Sequence, residues 1–121
     1  MLSNLIGTPW EPDWTGALLL IEDVAERTDH LDSMVLRLQT CGALDRIAGL
    51  VIGDFSRYAG MTSARRLPLE KIITDHLRPG TPVLYGLHAG HGRDRMSLIL
   101  GAKYRLDPRR ATLTLTEAYT R

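Results

Sequence analysis

Two regimes of apolar patterning run along this chain: short unbroken apolar runs that close on an acid, and longer stretches where apolar residues recur at helical spacing. The first run, Ala17-Leu18-Leu19-Leu20-Ile21, ends at Glu22-Asp23 and has the continuity of a strand buried on both faces. A second, Ala48-Gly49-Leu50-Val51-Ile52-Gly53, ends at Asp54 and reads the same way. Between them, Leu31, Met34, Val35 and Leu38 share one helical face, with Thr28 or Asp29 as the expected N-cap and Gly42 as the stop. Pro68 suits the first position of a second helix, with Leu69, Ile72, Ile73, His76 and Leu77 facing inward until Pro79-Gly80 ends it.

The remaining segments are shorter. Gly7-Thr8-Pro9-Trp10-Glu11-Pro12-Asp13-Trp14 is too rich in proline and turn formers for a helix interior and predicts an extended arm. Residues 56–66 mix glycine, serine and arginine without a period and predict an exposed loop. Pro82-Val83-Leu84-Tyr85 predicts a short third strand, followed by the glycine-rich segment Gly86-Leu87-His88-Ala89-Gly90-His91-Gly92. Residues 97–101 and 104–107 are strand-like, Pro108-Arg109-Arg110 marks a turn, and alternating threonine and leucine over 112–117 predicts a half-buried antiparallel strand. This order of elements predicts one mixed α/β domain over residues 1–121, with two main helices, several short strands and no internal repeat.

Composition narrows the functional classes. A chain of 121 residues with 44% hydrophobic content sustains one core but not two ordinary domains. The net charge of +1 supplies no field for nucleic acid, an acidic polymer or an anionic membrane, and Arg65-Arg66 and Arg109-Arg110 read as solvated loop pairs. Cys41, the single cysteine, excludes an internal disulfide and suits a reducing compartment, and its spacing from Leu38 predicts a buried thiol. No stretch approaches the ~20 apolar residues of a membrane span. Met1-Leu2-Ser3-Asn4 lacks the basic and apolar regions of a signal peptide, and the single cysteine makes the cytoplasm the expected location.

Two features carry candidate chemistry: the acids closing the apolar runs, and His91 bracketed by glycines. Strand ends are where α/β folds tend to place ligands and catalytic groups. A carboxylate brought to a histidine accepts its ring N–H, fixes the tautomer and stabilises the imidazolium formed in proton transfer. An acid closing a strand is usually just the point where the chain meets water, and a histidine in a glycine loop is about as often a turn residue as a catalyst. His88, His91 and Asp94 invite a metal reading, but their spacing is not that of a zinc helix and no second ligand set accompanies them. No Lys-Ser or Lys-Thr follows the glycines, which argues against a phosphate loop. Neither a metal nor a cofactor is expected, and His30 and His76 fall on helices as surface or core-edge residues.

Asn4-Leu5-Ile6-Gly7-Thr8-Pro9-Trp10, Leu19-Leu20-Ile21-Glu22-Asp23-Val24-Ala25-Glu26 and Gly86-Leu87-His88-Ala89-Gly90-His91-Gly92 occur in an order that resembles the C-terminal domain of the L,D-carboxypeptidase family of serine peptidases. That family also contains microcin self-immunity proteins. Leu36-Arg37-Leu38-Gln39-Thr40-Cys41-Gly42, the run closing on Gly53-Asp54-Phe55, and Ser97-Leu98-Ile99-Leu100-Gly101-Ala102 extend the likeness to nearly the whole chain. The resemblance implies a small swivelling β/β/α-type domain that supplies the glutamate and histidine of a Ser-Glu-His triad. It places them at Glu22 and His91, with His91 as general base and Glu22 as its orienting partner; Asp23 and Glu26 are reserve acids. It also implies that the serine belongs to an N-terminal domain, which would be the principal partner, that a murein tetrapeptide is the substrate, and that a homodimer forms.

The chain departs from the family pattern at His88 and Ala89, where an acid or proline and then an aromatic are usual, and at Ile99, where proline is expected. Ser3, Ser33, Ser56, Ser63 and Ser97 are its serines, and none sits in a glycine-flanked strand-to-helix elbow. The expected function is therefore half of a serine carboxypeptidase, inactive without its nucleophile. The alternatives are a microcin-immunity-type hydrolase domain and a non-catalytic binding or dimerisation module, for which Trp10 and Trp14 are candidate partner-seeking groups.

Overall fold

The protein is described by a computed structural model over residues 2–56 and 69–117. The apolar runs form β1 (Leu18–Val24), β2 (Gly49–Ser56) and β3 (Val83–Tyr85), a parallel sheet in the order β1-β2-β3 with β2 in the centre. Parallel neighbours need crossovers. The first is made by α1 (Thr28–Thr40) and α2 (Ala43–Arg46), and α3 (Leu69–Thr74) lies between β2 and β3. After β3, strands β4 (Tyr104–Asp107) and β5 (Thr112–Leu115) form a separate antiparallel hairpin.

Strand periodicity divides the packing between two faces. On one face Leu19, Leu50 and Ile52 join Leu31, Val35 and Leu38 of α1, Leu44, Ile47, Ile72, Ile73 and Trp14 in a single core. On the other, Leu18, Leu20 and Val51 share a cavity of about 330 Å³ with Leu98, Tyr104 and Leu113. Leu106 of β4 packs so closely on Gly49 that a β-carbon there would stand 2.8 Å from its Cδ2. Helices thus cover one face of the parallel sheet and the hairpin the other, a mixed α/β architecture built from two sheets. Among the described residues no helix is long and apolar enough to cross a membrane.

Five details differ from the sequence expectations. Arg27, not Thr28 or Asp29, is the N-cap of α1, because the Asp29 carboxylate is turned back onto the Arg27 guanidinium at 2.9 and 3.0 Å. Gly42 ends α1 as expected, in the left-handed region at φ 75°, but the chain re-enters a helix at once as α2, burying Ala43 and Leu44. α3 stops at Thr74, and His76 and Leu77 follow in tight turns whose amides donate to Ile73 and Thr74 carbonyls. The first half of the arm is coiled rather than extended, since Thr8 and Glu11 donate in succession to the carbonyls of Leu5 and Thr8, and residues 11–14 follow without regular structure. Residues 97–101 are not a strand; the Ile99 amide donates to the Tyr104 hydroxyl and the Ala102 amide to Ile99 O, so no ladder forms.

Of the aromatic pair in the arm, Trp14 is 2% exposed in the core and Trp10 is 80% exposed. Cys41 is half-buried, its Sγ 3.4 Å from Leu38 O. Ser56 belongs to β2, and the rest of the expected loop, with Pro68, lies outside the described residues.

Candidate active site

The ends of β1 and β2 do not stay in step. Ile21 pairs with Ile52 but Asp23 pairs with Phe55, so Glu22 alone faces both Gly53 and Asp54. The extra residue is on β2, where it breaks the ladder, sharpens the local twist and bends that strand opposite Glu22. The Glu22 side chain lies near the C-terminal end of β1 and is 31% exposed.

The glycine-rich segment after β3 is hung on the central strand. Gly86 and Leu87 both donate to Ile52 O, at 2.9 and 3.1 Å, and the Asp54 amide donates to Ala89 O at 2.8 Å. Each close approach requires a missing side chain. A β-carbon on Gly53 would overlap Ala89 O. Gly90, at φ 121°, passes over Glu22 where a β-carbon would stand 2.5 Å from Oε2. Only glycine takes that backbone conformation without strain.

These contacts deliver His91 Nδ1 to 2.8 Å from Glu22 Oε2. An ionised carboxylate only accepts, so Nδ1 carries the proton and the Nε2 lone pair is left free in the neutral ring. Nε2 has no protein partner among the described residues, and the His91 side chain is 58% exposed. Chemically this is a base with one nitrogen oriented by an acid and the other open to a reacting group.

The reserve acids Asp23 and Glu26, with His30 and His76, are otherwise engaged. Asp23 accepts from the Val24 amide at 2.7 Å. Glu26 accepts from the Arg27 amide and lies 2.9 Å from His30 Nδ1, contacts that hold its carboxyl below the usual carboxylate range. His76 lies between Gln39 and Asp32, at 2.8 and 3.2 Å. His88 and Asp94 are exposed, and no group of three or more His, Cys, Asp or Glu able to hold a metal occurs among the described residues.

Of the serines, Ser3 is buried in the short 3-10 turn Leu2–Asn4, and Ser33 donates to Asp29 O within α1. Ser97 is exposed, Ser56 ends β2, and Ser63 lies outside the described residues. Asp54 was recognisable in the sequence only as an acid at a strand end. In the structure its carboxylate lies against Gly92, next to His91. Gly92, whose missing side chain leaves room for that carboxylate, is the sequence signal for the approach. An apolar cavity of about 620 Å³, lined among others by Leu2, Ile21, Met34 and Phe55, opens beside Glu22.

The chain is similar to known proteins over most of its length. The chain is 34% identical over 104 residues to a Bacillus subtilis protein named as a probable murein peptide carboxypeptidase, covering 85% of this chain and 33% of that protein. The crystal structure of muramoyltetrapeptide carboxypeptidase from Oxalobacter formigenes matches with a TM-score of 0.75 at 28% identity, over 98% of this chain and 39% of that one. The microcin C7 self immunity protein MccF matches with a TM-score of 0.85 at 25% identity, over 98% of this chain and 35% of that one. The chain spans between 33% and 38% of the length of the curated relatives it matches. Residues 1–106 match the family model of the LD-carboxypeptidase C-terminal domain, and the chain belongs to the LD-carboxypeptidase family.

Proposed function

We propose that this chain supplies the acid and base of a Ser-Glu-His triad in a serine carboxypeptidase that releases the terminal D-amino acid from murein tetrapeptide during peptidoglycan recycling. The observation that carries the reading is the 2.8 Å contact between Glu22 Oε2 and His91 Nδ1, with Nε2 left open. In this scheme Nε2 takes the proton of a serine hydroxyl as its oxygen attacks the scissile carbonyl. The imidazolium then protonates the departing amine, and the same nitrogen activates the water that releases the acyl group. Glu22 fixes the tautomer and stabilises the transient positive charge.

The serine comes from a nucleophile domain elsewhere in a longer polypeptide. Support for this is the one-third share of the relatives' length that the chain spans and the lack of an elbow serine among the described residues. A homodimer and a cytoplasmic setting belong to the same proposal, resting on the family likeness and, for the cytoplasm, on the lone cysteine.

The test compares the longer polypeptide with residues 1–121 on murein tetrapeptide. The longer form should release D-amino acid, the 121-residue chain should not, and His91→Ala should lower the rate of the longer form by about 100-fold or more. Robust hydrolysis by residues 1–121 alone overturns the assignment.

A microcin-immunity-type substrate is the second reading, supported by the likeness to MccF at a TM-score of 0.85 and 25% identity. MccF has been solved in complex with aspartyl sulfamoyl adenosine. Turnover of that compound in preference to tetrapeptide would move the assignment.

A further inference from the structure

Asp54 stands near the end of the central strand, and the bulge at Glu22 sets the Gly53-Asp54 pair opposite that glutamate. Two contacts join Asp54 to the His91 segment. Its amide donates to Ala89 O at 2.8 Å. Its carboxylate fills the space beneath Gly92, where a β-carbon would stand 2.6 Å from Cγ and 2.9 Å from Oδ1 and would overlap Oδ2. One carboxylate therefore holds the ring of His91 and a second is packed against the backbone immediately after it.

The Oδ2 atom of Asp54 is buried and has no hydrogen-bond partner among the described residues. A buried carboxylate oxygen without a donor is costly, and the cost falls when positive charge develops nearby. Among the described residues, the charged and titratable groups on the elements that carry or adjoin His91 are Glu22 and Asp23 on β1, Asp54 on β2, and His88, Arg93, Asp94 and Arg95 on its own segment. Glu22 is committed to Nδ1, Asp23 to the Val24 amide, and Arg95 turns its Nε–H to Gly92 O at 3.1 Å. His88, Arg93 and Asp94 are exposed to solvent. Asp54 is the one whose accepting oxygen is both buried and unused.

We propose that Asp54 is a positioning residue for His91: it seats the Ala89-Gly90-His91-Gly92 turn on β2, and its carboxylate favours the imidazolium that forms when Nε2 takes a proton. This attraction grows as the charge on the ring grows, so it lowers the barrier to proton transfer rather than tightening substrate binding. The proposal rests on the general-base role of His91, and its first test is independent of activity.

That test is an NMR titration of the His91 ring in the 121-residue chain and in Asp54→Asn, which keeps the shape and removes the charge. Loss of a nearby negative charge disfavours the imidazolium, so the His91 midpoint should fall by about half a pH unit or more. A second measurement needs no change at Asp54. Its side-chain ¹³C resonance should show an inflection at the His91 midpoint, and His91→Gln should abolish it. In the longer polypeptide, Asp54→Asn should lower kcat about tenfold, leave KM within about twofold, and shift the acidic limb of kcat/KM to lower pH by the same interval as the midpoint.

A space-filling role alone would cost stability without moving the midpoint or the limb. An unmoved His91 midpoint, or an Asp54 carbon indifferent to His91 titration, overturns the proposal. If the longer polypeptide is inactive while the midpoint does move, the triad reading fails and the coupling of Asp54 to His91 stands.

Discussion

Gly90 lies over the Glu22 carboxylate at a distance that admits no side chain: a β-carbon would stand 2.5 Å from Oε2 and 3.1 Å from Cδ. Its φ of 121° is also outside the range that other residues adopt without strain. Gly90→Ala should therefore cost about 1–3 kcal/mol of stability and displace either the carboxylate or the turn. Urea denaturation measures the first effect. The second should appear as at least a tenfold loss of activity in the longer polypeptide, since small misplacements of a catalytic group cost about 100-fold in rate. Wild-type stability and rate in this variant would show that the contact is not needed.

Gly53 makes a different demand, because what opposes it is backbone. Its β-carbon would overlap Ala89 O, the acceptor of the Asp54 amide. A carbonyl tied to the central strand cannot swing aside as a flexible side chain does, so Gly53→Ala should lift the Ala89-Gly90 segment off β2. The expected result is a loss of about 1–3 kcal/mol with faster hydrogen exchange at the Asp54 amide. Unchanged protection there would contradict the hanging of the segment on β2.

Much of this architecture was legible in the chain and some was not, for identifiable reasons. β1, β2 and helix α1 follow from apolar runs and helical spacing because each buries a face long enough to show its period, whereas β3, β4 and β5 were legible from short apolar or alternating segments bounded by turn residues. α2 covers only Ala43–Arg46, barely one turn, and leaves no periodic trace. Leu98-Ile99-Leu100 has strand composition, but a strand is defined by its partner and among the described residues none pairs with it; Leu100 is 79% exposed. Glu22 and His91 were visible as candidates, an acid closing a run and a histidine among glycines. Their meeting was not visible in the residues alone, because it depends on the two-against-one register at Gly53-Asp54, a property of the pair of strands. Resemblance to the family linked them in advance; geometry supplies the distance.

Ile52 couples the core to this edge. Its side chain is fully buried among the helix-facing residues, while its carbonyl accepts from both Gly86 and Leu87 at the start of the glycine-rich segment. Ile52→Ala should cost about 2–5 kcal/mol and Ile52→Val about 0.5–1.5 kcal/mol in chemical denaturation. The larger truncation should also broaden the His91 ring resonance by loosening the strand that carries the segment. A loss below about 1 kcal/mol for alanine would mean that the core collapses into the space more readily than its packing implies.

The replacement Glu22→Gln separates the charge of the acid from its shape. Glutamine is nearly isosteric, yet its amide can offer an N–H to Nδ1, which would place the ring proton on Nε2 and leave no open lone pair there. The longer polypeptide should then lose activity by about 1,000-fold or more, mostly in kcat, while stability changes little at this partly exposed site. Glu22→Asp keeps the charge but shortens the reach of a contact now 2.8 Å long, and should retain more activity than glutamine does. Equal activity in the wild type and the glutamine variant would remove Glu22 from the triad.

Acid should release the N-terminal arm before it unfolds the core. The Gly7 amide at 2.7 Å and the Trp14 indole N–H at 2.9 Å both donate to Glu11, and with Arg46 nearby they hold its carboxyl below the usual glutamate value of 4.5 against a smaller opposing effect of burial. A folded-state value below the unfolded one means that this contribution to stability is fully present above about 4.5 and is lost as pH falls through the folded value. Trp14 is buried and reports directly on the arm, whereas exposed Trp10 would mask it, so the measurement uses Trp10→Phe. On acidification below pH 4.5, Trp14 emission should shift to longer wavelength while circular dichroism from α1 is retained. Asp13, Glu26 and Asp29 also have lowered values, so the decisive comparison is Glu11→Gln. There the arm should already be loosened at neutral pH, and its emission should change little as acid is added. The same acid-induced shift in that variant would assign the release to another carboxylate.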